Sequence, residues 1–159
     1  MLVKYEEYYE EHPEWFVIAT KWHQIHWGYD CSLSSDGQDL IWGSGADELR
    51  DVMVGKITNV LSRNTEQKFI SIAEEDEGVF CNCDNCRKLN HALTGSYQNA
   101  SGMQIAFVNR VIDGVEDWIK ENQPGRELHY VIFGYHGQTI DPPGKRDESG
   151  KIIGPYHPC

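Results

Sequence analysis

The densest group of chemically reactive side chains lies between residues 74 and 86. It opens with the acidic run Glu74-Glu75-Asp76-Glu77 and ends with a group of cysteines. Carboxylates that lie close together repel each other, which raises the pKa of one and places a proton donor beside a proton acceptor. We therefore interpret Glu75 and Asp76 as candidate catalytic residues, and a solvated acidic loop is the alternative interpretation.

The cysteines have the spacing Cys81-x-Cys83-x-x-Cys86, which brings their thiols within reach of one ion. A structural zinc ion takes four ligands in a tetrahedron, so a further ligand is needed. The candidates for that ligand are His91, Cys31 and Cys159. Because local clustering is typical of metal or redox chemistry rather than of a disulfide-rich secreted domain, the sequence favours a structural zinc site. Free thiols, or a single disulfide with one thiol left over, are the alternatives.

The regular part of the chain alternates strands with amphipathic helices. Short apolar runs predict strands, and apolar residues that recur every three or four positions predict helices. The predicted elements are a strand at 39–42, a helix from Ser44 to 62–64, a strand at 69–73, a helix that starts between 96 and 101 and stops at Pro124-Gly125, and a strand at 128–133. This order is βαβαβ, and such units build parallel sheets. The fold class is therefore α/β, as an open sheet or as part of a closed barrel.

In parallel α/β folds the ligand site lies at the carboxyl ends of the strands. Trp42 ends the first predicted strand, and Tyr135 and His136 follow the third, so we predict that these residues bind substrate. The acidic run follows the second strand. Side chains alternate along a strand, which places Glu75 on the same side as Ala73 and, where that side faces a barrel interior, directs it into the site.

Composition restricts the class of protein. The 159 residues carry a formal net charge of −11, which argues against nucleic-acid binding and against docking on an anionic membrane surface. The longest apolar run is far shorter than the roughly 20 residues of a membrane-spanning helix. The first residues lack the apolar core of a signal peptide, and the compartment stays open.

We predict one domain over 1–159, with an aromatic loop region at 1–37, a βαβαβ core at 38–135 and a loop or tail at 136–159. The first region contains one short helix followed by irregular chain. Its aromatic rings either cover a core from outside or form a surface that faces a ligand.

Several segments together resemble one family. They are His12-Pro13-Glu14-Trp15-Phe16, residues 70–76 with the cysteine cluster, Gly95-Ser96 with Phe107-Val108-Asn109, and Tyr135 with Thr139, Pro142 and Pro143. It is a large bacterial family of barrel proteins, known as a domain of unknown function. Some of its members belong to glycoside hydrolase family 163, whose activity is endo-β-N-acetylglucosaminidase action on N-glycans. The resemblance extends over about 5–155, and its most specific part is the acidic turn followed by the cysteines.

The resemblance implies a (β/α)8 TIM-type barrel with a glycan site over the strand ends. A complete barrel takes about 250 residues, so the chain is expected to be a central fragment, inactive by itself. Its open sheet edges are expected to favour self-association. The family often has Gln-Asn-Asp where this chain has Glu74-Glu75-Asp76, so the resemblance supports Asp76 alone, and Glu75 depends on its place at the strand end.

Two functions follow from these expectations. The first is that of a glycoside-hydrolase-like protein that acts, when complete, on glycans containing N-acetylglucosamine. The alternative is a non-catalytic structural or glycan-binding module with a zinc site at the cysteine cluster.

Overall fold

The computed structural model describes residues 2–16, 32–33, 40–42, 44–73, 84–94, 101–132, 144–146, 148 and 152–155. The helices are α1 (Tyr5–Tyr8), a 3₁₀ helix (Pro13–Trp15), α2 (Ser44–Arg63), α3 (Asp84–Thr94) and α4 (Ser101–Asn122). The strands are β1 (Ser32–Leu33), β2 (Leu40–Ile41), β3 (Phe69–Ser71), β4 (His129–Val131), β5 (Gly144–Arg146) and β6 (Ile152–Pro155). No described helix combines the length and apolar character needed to cross a membrane.

Strands β3 and β4 form a parallel pair in which Ser71 lies opposite Val131. The prediction that these segments run parallel is therefore confirmed, although both strands are shorter than predicted. Ile70 and Ile72 are buried whereas Ser71 is exposed, so the side chains alternate as predicted. One face of the pair contributes to the core, and the other face is open in the described part of the chain.

Strand β2 pairs with β1 in antiparallel orientation, with Leu33 opposite Leu40. The sequence predicts a third parallel strand here, but among the described residues β2 does not pair with β3. The connecting residues 34–39 contain Asp36-Gly37, a dipeptide typical of hairpin turns, and antiparallel neighbours need only a short connection. The described architecture is therefore mixed α/β, with parallel pairing confined to β3 and β4.

Strands β5 and β6 form an antiparallel pair where the sequence predicts a loop or tail. Gly144 lies opposite Pro155, and the register shifts between Lys145 and Arg146. The composition of this segment, rich in Gly, Pro and charged residues, predicts irregular chain. Short two-stranded pairs nevertheless tolerate such residues at edges and bulges.

Helices α2 and α4 pack side by side and run in the same direction. Asp47, near the start of α2, pairs with Arg110 of α4, and Leu61, near the end of α2, accepts a hydrogen bond from Gln123 just after α4. Side chains of both helices belong to the same core cluster as Ile70 and Ile72, so both helices cover the same face of the parallel pair.

The core lies between these helices and the parallel strands. Its helical side chains are Leu49, Met53, Ile57 and Leu61 of α2 and Phe107, Val111, Val115 and Ile119 of α4. Their three- and four-residue spacing is the pattern that predicts both helices from sequence, and the observed bounds match the prediction. Full burial of each such side chain contributes roughly 1.5–3 kcal/mol, which makes this interface the main source of stability.

Helix α3 is not among the elements predicted from the sequence, because the cysteines there are interpreted as possible metal ligands. Its buried residues are Cys86, Leu89, Asn90 and Leu93, at the spacing of three and four that is typical of an amphipathic helix. Asp84 in the first turn suits the positive end of the helix dipole.

The described part of the aromatic N-terminal region covers the core. Trp15 and Phe16 are buried, and the rings of Tyr5 and Tyr9 stack at a centroid distance of 4.2 Å. Nζ of Lys56 in α2 donates a hydrogen bond to Oε2 of Glu7 in this segment at 2.8 Å. In residues 2–16 the aromatic rings therefore pack on the core from outside, which is the first of the two predicted interpretations.

Arg126 joins the two turns that precede β3 and β4. Its Nη1 donates to the backbone oxygen of Leu61 at 3.0 Å, and its Nη2 donates to those of Asn64 and Gln67, both at 2.8 Å. A further bond reaches the side chain of Gln123. Carbonyls at the end of a helix have no partner within the helix, so one side chain satisfies the end of α2 and links it to the turn after α4.

Candidate functional site

Trp42 directly follows β2, at the strand end where the sequence predicts a substrate-binding residue. Its side chain is half-buried. The ring of Phe107 meets the indole edge to face at a centroid distance of 5.8 Å, and the guanidinium carbon of Arg110 lies 4.7 Å from the indole centroid. A cation over an aromatic face is attracted by the ring quadrupole. The indole is therefore held in one orientation by two residues of α4.

The arginine over this indole belongs to a series of four ion-paired side chains. Arg110 pairs with Asp47, which also accepts a hydrogen bond from Arg50 at 3.4 Å, and Arg50 pairs with Asp51 at 2.7 Å. The two positive and two negative charges cancel. This series of ion pairs therefore offers hydrogen-bonding groups of both kinds without a net charge of its own.

Helix packing places the residues of α4 that touch Trp42. The side-chain oxygen of Asn90, on α3, accepts a hydrogen bond from the backbone N–H of Met103 at 3.2 Å. This N–H belongs to the first turn of α4 and has no partner within the helix. Phe107 and Arg110 follow about one turn later, three residues apart, so both face the same side of α4. The contact between α3 and α4 therefore fixes the helix that orients the indole.

Most of the other residues that the sequence predicts for a site lie outside the described part of the chain. These are Glu75, Asp76, Tyr135, His136, Cys81 and Cys83. Their predicted roles in catalysis, substrate binding and metal binding stay predictions. The last paired residues of the parallel strands, Ser71 and Val131, are direct neighbours, and the chain continues from them toward the acidic run and toward Tyr135.

Cys86 is the described member of the predicted metal site. It lies in α3, is fully buried, and belongs to the same apolar core as Leu89 and Leu93. A side chain in this position contributes to packing, as a small apolar group does. The zinc interpretation of the three cysteines stays a prediction.

Sequence reasoning singles out Trp42, whose role in substrate binding stays a prediction, but not the neighbours of its indole. Phe107 reads as an ordinary core residue of an amphipathic helix, and Asp47 reads as an acid that suits the start of α2. Arg110 lies far from Trp42 in the chain. Nothing in its local sequence indicates a contact with an aromatic ring, because a charged residue at the border of a helix face is usually solvated. A contact of this kind depends on how two elements pack, which periodicity does not specify.

Comparison with known proteins identifies the family of this chain. No curated protein and no solved structure matches this chain. One family model matches residues 1–145, which include Trp42, both long helices and the parallel strands. The match covers most of the chain, so this protein belongs to the family described as Domain of unknown function (DUF4838).

Proposed function

We propose that this chain is part of a glycoside-hydrolase-like protein that acts on glycans containing N-acetylglucosamine. The observation that supports the proposal is the half-buried indole of Trp42, held by Phe107 and Arg110 at the end of a strand. Aromatic rings offer a rigid apolar face and lose little conformational entropy on binding. The apolar face of a sugar ring is complementary to such a surface.

The polar groups beside the indole agree with a neutral sugar. Guanidinium groups donate hydrogen bonds and carboxylates accept them, and the hydroxyl and acetamido groups of N-acetylglucosamine can do both. Two ion pairs, Arg110 with Asp47 and Arg50 with Asp51, supply both kinds of group, and their charges cancel. In the proposal these residues orient the sugar while Trp42 stacks on it.

Catalysis in this proposal is assigned to Glu75 and Asp76. Glycoside hydrolysis commonly uses two carboxyl groups, about 5–5.5 Å apart for retention and about 6.5–9.5 Å apart for inversion, whereas substrate-assisted enzymes use the acetamido group of the sugar. Either Glu75 or Asp76 would act as acid and base or would orient the acetamide. Tyr135 and His136 would contact the substrate, and the chain by itself is expected to be inactive.

Binding to immobilised glycans tests the role of Trp42. Trp42→Ala is expected to abolish binding to glycans with N-acetylglucosamine, while Trp118→Ala, which removes another half-buried indole from the far part of α4, is expected to retain it. Circular dichroism of both variants controls for folding. Equal binding by the two folded variants, or no glycan binding by the unchanged chain, would contradict the proposal.

Hydrolysis tests the catalytic pair. The measurement is turnover of an N-glycan substrate by a full-length member of the family that carries the equivalents of Glu75→Gln or Asp76→Asn. Loss of one member of a catalytic pair is expected to lower turnover by at least about 100-fold. Unchanged turnover in both variants would remove these residues from the mechanism.

The second candidate function is a non-catalytic structural or glycan-binding module with zinc at Cys81, Cys83 and Cys86. The spacing of the three cysteines supports it, and a metal bound at Cys86, which lies in the core, would be linked directly to the packing of α3. In this case purified protein contains stoichiometric zinc, and Cys83→Ser loses both the zinc and the folded state. Protein that is folded and free of zinc under reducing conditions would exclude this version.

A further inference from the structure

A second group of ligand-type side chains lies where the N-terminal segment meets α2. It consists of His12, Glu14 and Glu48, and one ligand atom from each lies within 4.8 Å of the other two. Nδ1 of His12 is 3.2 Å from Oε1 of Glu14. The two segments are distant in sequence, so the fold itself brings the three side chains together.

The charges of this group are unbalanced. In the described part of the chain, no Lys or Arg forms an ion pair with Glu14 or Glu48, although Lys4, Lys56 and Arg50 each pair with other acids. His12 and Glu14 are only 30% and 29% exposed, so water screens their charges incompletely. The start of α2 contributes about half a positive charge, which is smaller than the two carboxylate charges. A bound cation would remove the remaining repulsion.

The imidazole of His12 is held in a fixed orientation. It stacks on the indole of Trp15 with a centroid distance of 3.9 Å and an interplanar angle of 7°. Trp15 is 1% exposed and therefore anchored in the core. The backbone N–H of His12 donates to the oxygen of Tyr8 at 2.8 Å, and Pro13 begins the 3₁₀ helix directly afterwards. Neighbours that orient a ligand ring raise metal affinity, and an aromatic face favours a ring that gains positive charge.

We propose that His12, Glu14 and Glu48 bind a divalent transition-metal ion, with zinc as the representative, and that this ion links the N-terminal segment to α2. One imidazole and two carboxylates form a nitrogen and oxygen donor set that suits zinc. Zinc bonds of about 2.0–2.2 Å place tetrahedral ligands about 3.4 Å apart. Rotation of the exposed side chain of Glu48 closes the remaining gap, and the fourth position is left for water.

The experiment uses the full chain and two ions. Isothermal titration with Zn²⁺ measures the affinity of the unchanged protein, of Glu48→Gln and of His12→Gln. Glu121→Gln, an exposed acid at the end of α4, is the matched control for the loss of one negative charge. Titration with Co²⁺ then separates this site from the cysteine cluster, because thiolate ligands give a strong charge-transfer band in the near ultraviolet and nitrogen or oxygen ligands do not.

The proposal predicts that Glu48→Gln and His12→Gln each weaken zinc binding by about 10- to 100-fold, while Glu121→Gln leaves it unchanged. The Co²⁺ spectrum of the affected site shows no thiolate band. Glu48 is exposed, so Glu48→Gln keeps the test valid even where His12→Gln fails to fold. Equal zinc affinity in all the variants, thiolate-type Co²⁺ binding alone, or no zinc binding by the unchanged chain would each overturn the proposal.

Discussion

Gly114 of α4 lies directly against Val54 of α2. A β-carbon at position 114 would come within 2.8 Å of Cγ2 of Val54, closer than carbon atoms approach without strain. The close packing of the two parallel helices therefore requires a residue without a side chain at position 114. A β-carbon at Gly55, the residue after Val54 in α2, would meet no other atom within 4 Å.

Gly114→Ala and Gly55→Ala are expected to change stability in opposite directions. Alanine in a helix interior favours the folded state by about 0.5–1 kcal/mol relative to glycine, and at Gly55 nothing opposes this gain. At Gly114 the clash with the stiff side chain of Val54 outweighs it, and we expect a net loss of about 1–2 kcal/mol. Urea denaturation of both variants measures the free energies of unfolding.

A double-mutant cycle shows whether Val54 is the cause of the loss. Val54→Ala in the Gly114→Ala background should recover part of the lost stability, because neighbours that compete for the same space are not additive. If Gly114→Ala is as stable as Gly55→Ala, the two helices are not in close contact here.

Arg126→Lys is expected to destabilise the protein by about 2–3 kcal/mol, because a single ammonium cannot reproduce the bonds to the oxygens of Leu61, Asn64 and Gln67. Arg63→Lys, an exposed substitution at the end of α2, is the matched control and should change stability by less than about 0.5 kcal/mol. The midpoints of urea denaturation compare the two. Equal midpoints would show that Arg126 does not stabilise the two turns.

The raised pKa of Tyr130 is expected to make the free energy of unfolding fall as pH rises in the alkaline range. Burial, and then its 2.6 Å hydrogen bond to Glu116, raise the pKa of Tyr130 well above the ordinary tyrosine value. Above about pH 10 the unfolded chain loses the phenolic proton that the folded chain retains, so the folded state binds more protons and stability falls as pH rises. The expected loss attributable to Tyr130 is up to about 1.4 kcal/mol between about pH 9 and pH 11.

Urea denaturation across that range, on the unchanged protein and on Tyr130→Phe, measures the effect. The variant cannot ionise at this position and should show a shallower decline. Lys56, whose pKa is lowered by burial but raised more by Glu7 and Tyr8, begins to lose its stabilisation near the ordinary lysine pKa of about 10.4, but it is present in both proteins and its contribution cancels in the comparison. Identical slopes for the two proteins would show that the bond to Glu116 is absent in solution.

Arg110→Met tests how Trp42 is held. The variant keeps the length and apolar character of the side chain but loses the cation over the indole and the ion pair with Asp47. We expect a stability loss of about 1–2 kcal/mol, a shift in tryptophan emission and weaker glycan binding. Arg63→Met is the matched control. A change in stability without any change in tryptophan emission would show that Arg110 does not contact the indole of Trp42 in solution.

Self-association through the open sheet edges stays a prediction, and the face of the parallel pair that is open in the described part of the chain adds an apolar surface beside those edges. Phe69 is 60% exposed and stacks with His129 on this face, whereas parallel sheets are normally covered on both sides. Phe69→Lys is expected to reduce any concentration-dependent increase in mass seen by light scattering. Val60→Lys, an exposed apolar residue on α2, should not reduce it. An equal reduction in both variants would indicate nonspecific association.

Local pattern was sufficient for the long helices. The apolar spacing of α2 and α4, and the stop at Pro124-Gly125, where Gly125 has a φ of +84°, are properties of neighbouring residues. Helix α3 is missing from the sequence-based prediction, although Cys86, Leu89 and Leu93 have helical spacing, because the cysteines are interpreted as possible metal ligands. The parallel β3 and β4 followed from the βαβ order, since helices that connect parallel strands must return the chain.

Contacts between elements were decided by the tertiary structure alone. Arg110 over Trp42, and Glu48 beside His12, each join a helix residue, whose local surroundings indicate only a solvated helix face, to a residue of another segment. Such a pairing depends on the relative position of two packed segments, and a shift of the helix by one turn would give different neighbours with the same periodicity. The sequence by itself therefore determined which segments form elements and which of their faces are apolar. Packing of those faces decided which polar side chains meet, because that depends on the shapes of the buried residues beneath them.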